Sequence, residues 1–129
     1  MARILIAEDD SSMRQFLSMA LRRVGHDITL CEDGLRAFQA LKSNPDGFDL
    51  LLTDIVMPGM DGIELSKKAS ALRPALKIMF ITGFAAMAAQ DRKASDGLPA
   101  RVLAKPFHLK DLTDQIEALL AGNGSVETS

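Results

Sequence analysis

The chain has no tryptophan or tyrosine, a single cysteine, and no apolar run near the roughly 20 residues needed to cross a bilayer. A lone Cys31 excludes an internal disulfide and points to a reducing compartment. The missing apolar run argues against a membrane span. The first residues, Met1 to Ala7, meet acids too soon to read as a signal peptide. Neither charge sign dominates: 15 basic residues face 17 acidic ones, for a net charge of −2. Nonspecific nucleic-acid binding therefore has no electrostatic support. A length of 129 residues fits one domain, and chains near this size bury roughly two thirds of their unfolded surface without covalent staples. The expectation is a soluble, cytoplasmic, single-domain protein.

What is present is an alternation of short apolar runs with longer helical stripes. Arg3–Ala7 reads as a strand ending in Glu8, Asp9 and Asp10, followed by a stripe from Met13 through Phe16, Leu17, Ala20 and Leu21 to Val24. Gly25 supplies the stop. Ile28–Cys31, Leu50–Thr53, Lys77–Ile81 and Val102–Ala104 read as four further strands. Helical stripes run through Leu35, Phe38 and Leu41, through Ile63, Leu65, Ala69 and Leu72, and from Leu109 to Leu120; an alanine-rich stretch spans Ala85 to Ala89. Five strands alternating with five helices predict an α/β fold, a five-stranded parallel sheet with helices on both faces. The domain is expected over 1–121, with 122–129, small and polar, as a disordered tail.

In open parallel sheets, ligands bind beyond the carboxyl ends of the strands. There this sequence places Glu8 and Asp9 after the first strand, Asp54 after the third, Thr82 after the fourth, and Lys105-Pro106 after the fifth. Glu8, Asp9 and Asp54 are hard oxygen ligands suited to Mg²⁺. One carboxylate can act as a nucleophile towards phosphorus. Lys105 can neutralise a transferring phosphoryl group, and the Thr82 hydroxyl can donate to one of its oxygens.

With Leu52-Thr53-Asp54-Ile55-Val56-Met57-Pro58, Met60-Asp61-Gly62, Ile81-Thr82-Gly83 and Ala104-Lys105-Pro106-Phe107 also in order, the chain resembles a two-component response-regulator receiver domain. The resemblance implies a flavodoxin-like (βα)5 fold with strand order 2-1-3-4-5. It makes Asp54 the phosphorylated aspartate and Asp9 a direct Mg²⁺ ligand, with Glu8 nearby and the Val56 backbone carbonyl completing the protein ligands. Thr82 and Lys105 would contact the phosphoryl group, and a cis peptide is implied at Lys105-Pro106. A histidine kinase or histidine phosphotransferase would be the phosphodonor. Leu51 to Pro58 and Ile78 to Ala86 resemble CpdR-type stand-alone receivers of alphaproteobacteria. That implies a partner in the ClpXP protease, with proteolysis promoted by the unphosphorylated form and turned off by phosphorylation. One position departs from the receiver pattern. Val102 stands where receivers commonly carry an aromatic switch, so Phe84 is the candidate to relay a change expected to reach Met87 and Val102.

Several features have plainer readings. Asp10 or Ser11 is expected to cap the first helix, and Arg22-Arg23 to complement its dipole. Cys31 is expected to be a small buried hydrophobe. His26 and His108 lie in loops without metal-ligand spacing. No sequence after Leu120 is long enough for a DNA-binding domain, so output is expected from the receiver surface meeting a protein partner rather than from a dedicated enzyme activity. An aspartyl phosphatase of the haloacid-dehalogenase type would need an acid two residues after its nucleophile, where this chain has Val56. A phosphotransfer relay protein remains an alternative; a receiver that binds without phosphate is disfavoured by the intact acid, threonine and lysine set.

Overall fold

Five short strands pair side by side in a computed structural model that describes residues 2–82, 100–105 and 107–121. They are β1 (Arg3–Ala7), β2 (Asp27–Cys31), β3 (Leu50–Asp54), β4 (Lys77–Thr82) and β5 (Ala100–Ala104). Every pairing is parallel, and the order is β2-β1-β3-β4-β5. The expected strands are all present, longer by one residue for β2, β3 and β4 and by two for β5.

The alternation of side chains along these strands builds two cores. Leu5, Leu51, Ile78 and Phe80 point to one face, where they meet Ala37, Leu41, Leu65 and Ala69. Ile4, Ile6, Leu50, Leu52, Met79 and Ile81 point to the other, against Leu17, Leu21, Leu112 and Ile116. Because both faces are covered, the strands read as continuous apolar runs rather than alternating ones. Phe80 is fully buried; truncating such a side chain to alanine costs about 3–5 kcal/mol through lost burial and the cavity left behind.

Four helices cover the sheet among the described residues: α1 (Ser11–Arg23), α2 (Gly34–Ser43), α3 (Gly62–Leu72) and α4 (Leu109–Leu120). The first three start on aspartate caps. Asp10 accepts from the Ser12 N–H, Asp33 from Arg36 and Asp61 from Glu64, each satisfying an amide that has no helical partner. At the other end of α1, Gly25 turns left-handed at φ 99°. Its N–H meets the Arg22 carbonyl at 2.9 Å and that of His26 meets Leu21 at 3.1 Å, the two bonds of a Schellman stop.

The helical stripes bury less than their spacing suggests. Phe16, Val24, Leu35, Leu72 and Leu109 are exposed, while Ser18 and Ser66 are buried. Cys31 is half-buried rather than fully buried, because β2 is an edge strand. Burial, followed by the charge of Asp33, pushes its thiol pKa up. The expected helix around Ala85 to Ala89, with Phe84 and Met87, lies outside the described residues, as do Pro106 with its implied cis peptide and the segment 122–129.

Candidate functional site

Four of the five strands deliver polar side chains to one end of the sheet. Glu8 follows β1 directly, and its N–H still pairs with the Cys31 carbonyl at 3.1 Å, so the residue is held in the ladder's line. Its side chain turns inward and is 1% exposed, with Oε2 accepting the Asp10 N–H at 3.0 Å. Asp9, the next residue, is exposed. Asp54 is the last residue of β3 and is buried. Glu8, Asp9 and Asp54 each offer a carboxylate oxygen, and the three oxygens lie within 4.8 Å of one another.

Lys105 enters from the far side. Its backbone N–H extends the β4–β5 ladder by donating to the Thr82 carbonyl at 2.7 Å. Its side chain then crosses to the acids, with Nζ 3.3 Å from Asp54 Oδ2 and 3.5 Å from Glu8 Oε1. The first contact is a hydrogen bond. The second is an ion pair without a hydrogen bond, so Glu8 Oε1 lacks such a partner among the described residues. Thr82, the last residue of β4, is 1% exposed, and its Oγ1 likewise has no hydrogen-bond partner. Buried polar atoms are rarely left this way. Two such atoms at the strand ends, one of them in the carboxylate cluster itself, indicate a site shaped for groups with complementary donors and acceptors.

The electrostatics follow from this crowding. Burial, reinforced by the neighbouring Asp54 charge, pushes the Glu8 pKa up to about 7 against the opposing Asp10 N–H and Lys105. Burial pulls the Lys105 ammonium down, but Asp54 and Glu8 together outweigh it and leave the pKa raised. A divalent cation would relieve the same repulsion from the open side, where Asp9 is exposed. The chemistry of the donors fits a small hard ion: three carboxylate oxygens and no thiol or imidazole.

The fold thus brings Glu8, Asp9, Asp54, Thr82 and Lys105 to one strand-end cluster. Val56 lies in the loop two residues past Asp54 with its side chain 55% exposed. Val102 sits apart, half-buried on β5 opposite Phe80 and packed against the core. Two contributors have roles that the sequence motifs did not reveal. Gly62 opens α3 directly against the end of β3: a Cβ there would collide with the Asp54 carbonyl, and its N–H bonds the Ile55 carbonyl at 2.8 Å. Arg14, one turn into α1, donates through Nη1 to the Glu8 carbonyl at 2.9 Å. Its position four residues after Asp10 was the available signal.

Comparison with known proteins agrees with this geometry. The family model for the response regulator receiver domain matches residues 4–117. The response regulator receiver protein CpdR of Brucella abortus is 52% identical over 93% of this chain and 98% of its own length. Among solved structures, a CheY-like receiver domain protein from Methanospirillum hungatei superposes with a TM-score of 0.85 at 29% identity, covering 97% of this chain and 98% of that one. Chemotaxis protein CheY4 of Vibrio cholerae gives 0.81 at 25% identity, with 91% and 97% covered.

Proposed function

This chain belongs to the response-regulator receiver family, and from that premise we propose that Asp54 is its phosphoacceptor within a cluster that holds Mg²⁺. The observation that carries the reading is the meeting of Asp54 with Lys105 at 3.3 Å inside a set of three carboxylates. An Asp54 oxygen attacks the donor phosphorus. The new P–O bond forms as the donor's P–N bond breaks, and that electron pair leaves with the imidazole of a phosphohistidine. Lys105 neutralises charge on the phosphoryl oxygens, and the Thr82 hydroxyl, without a partner among the described residues, donates to one of them. Asp9 and Asp54, the Val56 carbonyl and Glu8, the last through water, would hold the ion. Bound there, Mg²⁺ offsets repulsion between the anionic donor and the acidic pocket.

The donor is a histidine kinase or histidine phosphotransferase, and the place of action is the cytoplasm. Output comes from phosphorylation-dependent contact with another protein. The likeness to CpdR supports the finer reading: the unphosphorylated form promotes ClpXP proteolysis and phosphorylation turns it off. Phe84, Met87 and Val102 are the proposed switch residues. A dedicated phosphatase activity lacks its second acid, since Val56 stands in that place.

Intact-protein mass after treatment with a small acyl phosphate tests the core of this reading. The mass rises by one phosphoryl group with Mg²⁺ and not with EDTA, and Asp54→Asn abolishes the gain. Undiminished labelling of Asp54→Asn would overturn the assignment. Reconstituted ClpXP degradation, compared with and without phosphorylation, tests the output.

A further inference from the structure

Asp9 is an exposed acid in a turn, the setting in which a carboxylate usually has most freedom, yet the residues on both sides of it are fixed. Glu8 is held by three bonds: its N–H to Cys31, its carboxylate to the Asp10 N–H, and its carbonyl to the Arg14 guanidinium at 2.9 Å. Asp10 caps α1 through the Ser12 N–H, and its carbonyl accepts the Arg14 N–H at 2.9 Å. Arg14 therefore touches both neighbours of Asp9, one through its side chain and the other through its backbone. The side-chain bond is the distinctive one. A charged, half-buried donor spends itself on a backbone carbonyl and makes no ion pair among the described residues. Hydrogen bonds from charged donors are roughly twice as strong as neutral ones.

We infer that Arg14 is a positioning residue for the metal site: its guanidinium clamps the Glu8 carbonyl and so fixes the turn that presents Asp9 to the ion. The inference rests on the reading of Asp9 as a Mg²⁺ ligand. Its sign is opposite to that of simple electrostatics. A nearby positive charge repels Mg²⁺, so an Arg14 acting only through charge would weaken binding, and its removal would tighten it. A positioning Arg14 gives the reverse, because a ligand that must be ordered on binding costs affinity.

Titration calorimetry of Mg²⁺ into the full chain separates these cases, comparing wild type with Arg14→Ala at a temperature where both are folded. Arg14→Ala is expected to bind about tenfold more weakly, the scale on which partners outside the ligand set usually act. Arg14→Lys, which keeps a charged donor on a long stem, is expected to fall between the two. Equal or tighter binding by Arg14→Ala would overturn the inference, whatever happens to its metal-free melting temperature. If Arg14→Ala does not fold, Arg14→Gln, two atoms shorter in reach, replaces it: weaker binding than wild type supports the clamp and equal or tighter binding overturns it. A wild-type chain that binds no Mg²⁺ overturns both this inference and the metal-site reading, whereas normal wild-type binding with unchanged variants overturns the clamp alone.

Discussion

The Lys105 ammonium stands 3.3 Å from Asp54 Oδ2 and so ties the loop after β5 to the end of β3 across the intervening β4. Three-quarters of the Lys105 side chain is buried, since its exposure is 24%, which makes this more than a surface ion pair. Removing the cation leaves two buried carboxylates facing each other without relief. Lys105→Met is expected to lower stability by about 1–3 kcal/mol at neutral pH, measured by urea denaturation. Transfer from a small acyl phosphate should slow by about 100-fold, the effect of deleting one preorganised charge donor. A variant that is phosphorylated at the wild-type rate would remove Lys105 from the reaction.

Stability should also depend on pH through Glu8. Its folded pKa of about 7 lies above the ordinary glutamate value of 4.5, so between those values the folded state holds a proton that the unfolded chain has lost. The associated stability is fully present below pH 4.5 and disappears as pH rises through about 7. At 1.36 kcal/mol per unit, the loss is bounded by about 3 kcal/mol. The raised Lys105 pKa acts only near and above 10.5 and does not enter this window. In buffer with EDTA, unfolding free energy is therefore expected to fall from pH 5 to pH 7.5, and Glu8→Gln should flatten the slope. Mg²⁺ should offset the fall by binding the ionised carboxylates, adding about 2.7 kcal/mol at 100-fold over its Kd. A slope unchanged by Glu8→Gln would place its origin elsewhere.

Two glycines near the site make opposite demands. A Cβ at Gly62 would strike the Asp54 carbonyl, whereas one at Gly59 would meet nothing within 4 Å, and only its φ of +74° excludes most side chains. Gly62→Ala is expected to cost about 1–3 kcal/mol, the usual penalty of overpacking, and to cut phosphorylation by displacing Asp54. Gly59→Asn, with a residue that tolerates left-handed backbone, should leave both stability and phosphorylation close to wild type. Thermal melts and phosphoryl labelling of the two variants check the contrast.

The strands were legible because both faces of the sheet are covered, so runs such as Leu50-Leu51-Leu52 stand out in the sequence. The site acids were legible for a related reason. Charged residues at the ends of buried strands have few structural uses, and Glu8, Asp9 and Asp54 all fall there. Helix faces were harder to read. Phe16 and Leu35 lie near buried neighbours in their stripes but at the margins, and remain exposed. Contacts made by small residues or by the backbone left almost no trace. The Gly62 approach to Asp54 and the Arg14 bond to Glu8 depend on how separate elements meet, which spacing along one element does not encode.

Thr82 offers a test in which stability and response move in opposite directions. Its hydroxyl is buried and has no partner among the described residues, so it carries a desolvation penalty without a compensating bond there, on the order of 1–3 kcal/mol. Thr82→Val replaces it with a methyl of similar shape. The unphosphorylated variant is therefore expected to be at least as stable as wild type, and up to about 1 kcal/mol more so. The same change removes the donor proposed to meet the phosphoryl oxygen, and a bound group can shift a conformation only through contacts that differ between its two states. With beryllofluoride as an aspartyl-phosphate mimic, wild-type amide shifts should spread from Thr82 to Phe84, Met87 and Val102, the last reached through the β4–β5 ladder. In Thr82→Val they should stay near Glu8, Asp9 and Asp54. Thr82→Ser, which keeps the hydroxyl, should restore the spread. Equal spreading in Thr82→Val and wild type would show that the signal leaves the pocket by another path.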